Sequence, residues 1–495
     1  MIWTRRTFLG AASASLVLPA TLRSRCLGSN EDLRIAVVGV RSRGGAHIAG
    51  FRNLKGVRVV ALCDVDRDIL AREVERFENG NPKRGWPAGE KVRAYTDIRK
   101  LLEAEDIDAI SVATPNHWHA LMAIWACEAG KDCYLEKPVS HNLREGRLIV
   151  ESARKHGRIV GSGTQCRSST GMQEAMQFIH DGGLGEIRLA RGLCYKRRAS
   201  IGKVQGDQKV PESIDYDLWT GPAPLVPLRR RSLHYDWHWI WATGNGDLGN
   251  QGIHQMDLCR WALGESQLAP RVLSLGARLG YDDDGETPNT QLILHEYAKA
   301  PLLFEVRGLP SGKPGTKNEQ GKVQGSPMDQ YHGASIGCVI HGSEAEMRIH
   351  SYNGGTVWSN DGEKLRDFNG GGDHFSNFVQ AVRSRKHGDL NSDIEEGHVS
   401  SALCHLGNVS LRCGSSSGFD EARERIAGRK DLVEAYGRLG QHLRANGLAL
   451  EDCQLEVGVP LEVEPASEAV TGSERAPALL FRKGRGAFQH AEPSR

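Results

Sequence analysis

The sequence predicts an α/β protein in two parts: a doubly wound parallel sheet, then an α/β domain with a mostly antiparallel sheet. Three observations carry this prediction. Residues 33–65 run apolar strand, glycine turn, helix, apolar strand. Further strand–helix units follow up to residue 165. Beyond that point strand-like runs recur without long helices between them, the pattern of antiparallel pairing.

The first element, "LRIAVVGV", is a continuous apolar run suited to a parallel strand buried on both faces. It ends at Gly39, and "VRSRGGAHIAGFRNL" turns into a helix. "VRVVALCDVD" is the next strand and reaches Asp64, 25 residues after Gly39. A glycine turn at a strand end lets a pyrophosphate meet helix N-terminal amides, and the later acid takes a ribose hydroxyl. Gly39, Arg41 and Gly44 fall on the G-x-G-x-x-G spacing of a Rossmann fold, with arginine in the second place. An ordinary βα turn of another α/β protein is the competing reading. Asp64 disfavours a ribose 2′-phosphate, so NAD is preferred. Arg41 and Arg43 moderate that preference and leave NADP possible.

Two more units extend the sheet. "IDAISVATPNHWHALMAIWACEAG" reads as a strand, a Thr114-Pro115 turn and a helix from Asn116. "KDCYLEKPVSHNLREGRLIVESARKHG" reads as a strand, Glu136-Lys137-Pro138 and a helix, and "RIVGSGTQ" as one more strand. Ligands of open parallel sheets gather at the carboxyl ends of strands, where Thr114, Pro115, His117, His119, Glu136, Lys137 and Gln165 all fall. A lysine before proline is held extended. Its ammonium then has a fixed aim and can stabilise alkoxide character on a substrate oxygen, with Glu136 to orient it.

At 495 residues the chain is long enough for two domains and a tail. A net charge of +2 with 25% charged residues carries no nucleic-acid or membrane-surface footprint. Arg5 and Arg6 precede Phe8-Leu9 and a short, weakly apolar stretch ending near Ala20. It is too short and mild to span a membrane and fits a twin-arginine (Tat) export signal, which implies a periplasmic destination. Eleven cysteines occur without a C-x-x-C, and Cys63 and Cys259 lie in apolar runs, so buried free thiols are expected.

The Gly39 turn, "ATPNHWH", "LEKP" and "GNQGIHQMD" together resemble the Gfo/Idh/MocA family of NAD(P)-dependent oxidoreductases, over about residues 33–412. With the export signal, "NGDLGNQGIHQMD" and "DIEEGHVSSALCHLGNVSLR" resemble an exported bacterial subgroup. The resemblance implies a Rossmann domain followed by an α/β domain whose open, mostly antiparallel sheet carries the substrate site. The expected division is 1–30 signal and linker, 31–165 Rossmann domain, 166–415 substrate domain, and 416–495 helical extension and tail. Thr114, Pro115, Asn116, His119 and Glu136 join Gly39, Arg41, Arg43, Gly44 and Asp64 as expected cofactor contacts.

In the second part, "GEIRLARGLCYKRR", "RVLSLGARLGY", "QLILHEYA", "LLFEVRGLP" and "ASIGCVIHGSEAEMRIH" read as strands. The stretch from Tyr216 to Gly246, rich in Pro and Trp, reads as a loop, and so does the Gly/Lys-rich "GLPSGKPGTKNEQGKVQGSPMDQ". A helix is expected from near Asn250 to a Gly264 cap, with His254, Asp257, Leu258 and Trp261 on one face. A metal would need third and fourth ligands, and none is evident at suitable spacing. A structural His–Asp pair and a catalytic histidine remain, and the resemblance implies that His254 is the acid/base. Many relatives carry an aspartate four residues before this histidine; here that place is Asn250, with Asp247 and Asp257 as other sources of charge. Gln165, Arg167, Trp237, Asn250 and Asp257 are the expected substrate contacts. For Trp237, packing is the competing reading, and Arg167 is placed by position alone.

The resulting reading is an NAD(P)-dependent oxidoreductase acting on a hydroxyl or carbonyl of a sugar, polyol or cyclitol, inositol-dehydrogenase-like. Catalysis would rest on Lys137 and His254, with no metal. One alternative is a glycoside hydrolase of the same family using transient oxidation and elimination. Another is a non-catalytic sugar-binding or scaffold protein, favoured by Asn250 and Arg41. The small-molecule substrate is the expected partner, with neither nucleic acid nor a membrane span, and relatives imply a homo-oligomer.

Overall fold

The computed structural model describes residues 32–313 and 325–490. The twin-arginine segment and part of the Gly/Lys-rich loop lie outside the described residues.

The N-terminal part alternates β1 (Leu33–Val38), α1 (Arg43–Arg52), β2 (Val57–Cys63), α2 (Arg67–Asn79), β3 (Arg93–Tyr95), α3 (Ile98–Leu102), β4 (Ala109–Val112), α4 (Asn116–Glu128), β5 (Asp132–Leu135), α5 (Leu143–Lys155) and β6 (Val160–Ser162). The strands pair in parallel in the order β3-β2-β1-β4-β5-β6. The direction of winding reverses between β1 and β4, which is where open α/β sheets bind ligands. Helices start where a side chain satisfies free amides: Asp66 caps α2 and Asn142 caps α5. Apolar clusters fill both faces of the sheet.

The second part begins with α6 (Thr170–His180), β7 (Ile187–Tyr195) and α7 (Tyr216–Thr220). A π-helical turn, Leu248–Gly252, leads into α8 (Ile253–Leu263), which Gly264 ends in the left-handed region at φ 70°. Strands β8 (Arg271–Ala277), β9 (Thr290–His295), β10 (Leu302–Arg307), β11 (Ile336–Gly342), β12 (Ala345–Ile349), β13 (Thr356–Ser359) and β14 (Lys364–Asp367) follow, then α9 (His374–Ser384) and α10 (Ile394–Arg412). The stretch read as one strand, "ASIGCVIHGSEAEMRIH", is the β11–β12 hairpin. Its turn follows Gly342, where an added Cβ would meet the Leu184 carbonyl oxygen at 2.0 Å.

The C-terminal segment holds β15 (Ser415–Gly418), α11 (Phe419–Arg425), α12 (Lys430–Ala445), β16 (Gln454–Val457), β17 (Leu461–Glu464), β18 (Ala469–Thr471), α13 (Ala476–Leu480), β19 (Gly484–Arg485) and β20 (Phe488–Gln489). Its strands β15 to β18 enlarge the second sheet to twelve, ordered β14-β13-β12-β11-β7-β10-β9-β8-β16-β15 with β17 also on β8. Among the described pairs of this sheet only β7–β10 is parallel. Helices α6, α8 and α10 pack on one face. Helix α12 covers the other, setting Leu432, Leu439 and Leu443 against Leu292, Leu294 and Leu303. Beneath it Glu305 is buried between Arg191 at 2.7 Å and Arg307 at 3.2 Å, with Arg438 of α12 as a third partner. The last described residues return to the first part, where Phe488 meets Trp118 of α4 edge-on at 5.4 Å. All ten described cysteines are buried and free.

Candidate active site

A cleft of about 490 Å³ runs along the carboxyl ends of β1, β4 and β5 and under the loop that follows β7, within the size range of ligand sites. At its first end Gly39 has φ 77°, and an added Cβ would lie 2.7 Å from the Ala113 carbonyl oxygen. Only glycine lets β1 turn this close to β4. A Cβ on Gly44 would lie 1.8 Å from the Gly39 carbonyl oxygen, so α1 can start directly behind the turn only with glycine there. Ser42, before α1, makes no side-chain cap bond, which leaves the helix amides for a ligand. Arg41 is exposed and lines the cleft where a second glycine would sit.

Asp64 directly follows β2 beside this turn. Its carboxylate accepts the amides of Val40 and Asp66, both at 3.0 Å. Burial raises its pKa against those bonds. Thr114, Pro115 and Asn116 line the same cleft. The His119 ring nitrogens lie 2.6 Å from the Pro138 carbonyl oxygen and 2.8 Å from that of Thr114, so this side chain clamps two site turns together. The glycine cradle, the uncapped helix start and an acid at ribose distance in sequence fit a dinucleotide.

At the centre stands Lys137, joined to Pro138 by a cis bond. Its ammonium donates to the backbone carbonyl of Asn250 at 2.8 Å, bridging the two parts of the protein. Burial lowers its pKa, with Glu136 opposing. Glu136 Oε1 accepts from Arg43 Nε at 2.6 Å and lies 3.0 Å from His47 Nε2, while Oε2 accepts the Lys137 amide at 3.2 Å. Burial opposes its ionisation, yet the bond to His47 and the charge of Arg43 hold its pKa well below the carboxylate range. Glu136 therefore orients Lys137 through the backbone. Arg43 also donates to Gln165 Oε1 at 2.9 Å, so Gln165 braces the cofactor wall.

His254, in the first turn of α8, is 6% exposed, and its ring centroid lies 5.2 Å from that of Tyr352. Nδ1 is buried without a partner among the described residues. Burial, then the charge of Lys137, pushes its pKa well below the usual 6.5. Both effects favour the neutral ring over the imidazolium.

The second-part wall is made by Lys196 and Arg198 after β7, by Gln251, and by the aromatic loop. The aromatic run is a 3₁₀ turn, Asp236–Trp239, within the loop. Trp237 lines the cleft with the His238 ring stacked on it at 3.6 Å.

Of the expected catalytic and substrate residues Lys137, Trp237 and Asn250 line the cleft, whereas His254 lies behind its lining and Gln165, Arg167 and Asp257 are turned to other partners. Arg167 and Asp257 do not line the cleft; they form a buried ion pair, with Arg167 Nε 2.9 Å from both Asp257 oxygens and Ser400 donating to Asp257 at 2.7 Å. Asp257 supports α8 against α10 and is not bonded to His254. Asp247 is likewise engaged, by Arg198 at 2.7 and 2.9 Å, so it adds no free charge near His254. Lys196, Arg198 and Gln251 were missed in the sequence. Their signal was available: "YKRR" ends a strand, and Gln251 adjoins Asn250. Among the described residues no cluster of three or more His, Cys, Asp or Glu is arranged to hold a metal, and no helix is long and apolar enough to cross a membrane.

The Gfo/Idh/MocA family model described as "Oxidoreductase family, NAD-binding Rossmann fold" matches residues 33–164, and its partner, "Oxidoreductase family, C-terminal alpha/beta domain", matches 186–298. The chain belongs to the Gfo/Idh/MocA oxidoreductase family. Its N-terminal part is that family's NAD-binding domain. The α-N-acetylgalactosaminidase of Shewanella oneidensis is 35% identical over 127 residues, 25% of this chain and 27% of that protein. The match thus spans about a quarter of that relative. In architecture the chain is similar to the WlbA dehydrogenase of Bordetella pertussis, solved with NADH and UDP-GlcNAcA (TM-score 0.54, 19% identity, 76% of this chain and 95% of that one). It is also similar to the aldose-aldose oxidoreductase of Caulobacter crescentus (TM-score 0.55, 15% identity, 76% and 98%). At these identities the likeness concerns the fold shared within the Gfo/Idh/MocA family.

Proposed function

We propose that this protein oxidises, or in reverse reduces, one carbinol of a sugar, polyol or cyclitol with NAD as redox partner. The observation that carries the reading is Lys137, an ammonium fixed by a backbone carbonyl in the same cleft as the dinucleotide turn. Bound NAD supplies the hydride acceptor. Gly39, the start of α1 and Asp64 hold its pyrophosphate and ribose ends. Lys137 donates to the carbinol oxygen and stabilises its developing negative charge. Neutral His254 takes the hydroxyl proton. Trp237 offers an aromatic face to a sugar ring. Mass spectrometry of the natively purified protein tests for retained nucleotide, and a sugar and polyol panel followed by NADH absorbance tests the reaction. Lys137→Met is expected to lower kcat/KM about 100- to 1,000-fold with NAD affinity unchanged. Undiminished turnover in that variant removes Lys137 from the mechanism.

A second reading, a redox-assisted glycosidase, is favoured by the α-N-acetylgalactosaminidase relative. Aglycone release from glycosides without net NADH formation would select it. The Arg5-Arg6 segment supports placing either activity in the periplasm after twin-arginine export, which fractionation of expressing cells tests.

A further inference from the structure

Two ammonium groups reach the second-part wall of the cleft and are tied to consecutive residues. Lys137 Nζ donates to the Asn250 backbone carbonyl at 2.8 Å, and Lys196 Nζ donates to Gln251 Oε1 at 2.7 Å. Both acceptors are neutral. The nearby carboxylates already have partners. Glu136 is bonded to Arg43 and His47, and Asp247 to both arms of Arg198. Asp64 sits at the cofactor turn, where its oxygens accept the Val40 and Asp66 amides. Asn250, which also lines the cleft, adds no charge. Neither ammonium is therefore bonded to a carboxylate, in partly buried surroundings where a charge without a bonded counter-ion is costly. Both pKa values are lowered, by burial first: at Lys137 Glu136 opposes this while Arg43 and Lys196 add to it, and at Lys196 Arg198 adds to it while Asp247 opposes.

We propose that the substrate supplies the missing charge: it is a sugar derivative bearing a carboxylate or phosphate, and Lys196 binds that anionic group. The inference rests on the oxidoreductase reading above and names its substrate class. Lys137 stays with the carbinol oxygen, because it stands at the end of β5 beside the cofactor turn. Lys196 directly follows β7 on the opposite wall and is half-buried. Its present partner is a neutral amide oxygen, and exchanging that for an anionic oxygen gives the stronger, charge-assisted bond. The cofactor pyrophosphate is met at the Gly39 end, so it does not consume this cation.

The test uses the full chain loaded with NADH, with occupancy verified first by mass spectrometry. Absence of bound nucleotide counts against the oxidoreductase reading itself, apart from this one. Isothermal titration of the loaded protein then compares hexuronates, hexose 6-phosphates and the parent hexoses. An anionic member is expected to bind about 10- to 100-fold more tightly than its parent hexose, with the preference shrinking as salt rises. The uronate and phosphate arms tell which anionic group is read. Lys196→Gln is expected to abolish the preference and Lys196→Arg to keep most of it, with NADH affinity unchanged in both. A panel in which no anion outbinds its parent hexose overturns the proposal, and so does a preference that survives in Lys196→Gln.

Discussion

Asn250→Asp puts a carboxylate on the residue whose carbonyl holds the Lys137 ammonium at 2.8 Å. With the new charge about 6 Å from the ammonium and an effective dielectric near 20, the attraction is about 3 kcal/mol, or about 2 pH units in the Lys137 pKa. The sign follows from the charges. In the native protein Lys137 loses its proton below the ordinary 10.5 because burial disfavours its charge. An adjacent carboxylate restores the charged form, so the alkaline limb of kcat/KM moves to higher pH. His254 is held down by burial and by Lys137. The same carboxylate raises it, so the acid limb also moves up. The whole bell is displaced upward, and the advantage of anionic over neutral sugars shrinks because a carboxylate of the protein then competes with the substrate's anionic group for the same cations. Initial rates of NADH formation across about pH 5 to 11 at constant ionic strength read both limbs. An alkaline limb that stays in place or moves down refutes the electrostatic reasoning for Lys137.

Asp64→Ala removes the ribose acceptor and is expected to weaken NAD binding about 10- to 100-fold while NADP loses less; titration with both nucleotides checks it. Arg167→Met removes the two-pronged partner of the buried Asp257 carboxylate and leaves it the Ser400 hydroxyl and the Arg260 guanidinium at 3.7 Å, at a cost of about 3 kcal/mol in stability. Denaturant unfolding should show this loss while KM of the folded enzyme hardly changes, and a selective rise in KM would restore Arg167 as a substrate contact. Leu439→Ala opens a cavity between α12 and the sheet and is expected to destabilise by about 2–5 kcal/mol, read as a lower Tm.

The first part was legible because its signals are local. A buried parallel strand is a continuous apolar run, its glycine turn has a fixed spacing, and Asp64 follows at the distance one helix requires. Lys137 could be placed for the same reason, at the end of a strand before proline. Arg167 and Asp257 could not, because the pairing that defines them joins residues 90 apart in the chain. Helical spacing put Asp257 beside His254, whereas packing turned it toward Arg167 and Ser400. The π-helical turn Leu248–Gly252 is likewise invisible to a 3.6-residue period and sets where Asn250 meets Lys137. The helical extension expected within 416–495 is present as two helices, α11 and α12, with Gly428 in the break between them. Strands β15 to β18 have only three or four residues each. Such pieces gain their structure from the sheet they join rather than from their own pattern. That α12 seals the outer face of the sheet was beyond any local signal.

The central claim is that Lys137 and His254 serve removal of a hydride from a carbinol carbon to NAD. The most direct measurement is a single turnover with a substrate deuterated at that carbon, followed by mass spectrometry of the nucleotide. The account predicts one deuterium in the reduced nucleotide with the native protein and a transfer slowed about 100- to 1,000-fold in Lys137→Met. Product that forms while the nucleotide stays unlabelled would contradict it.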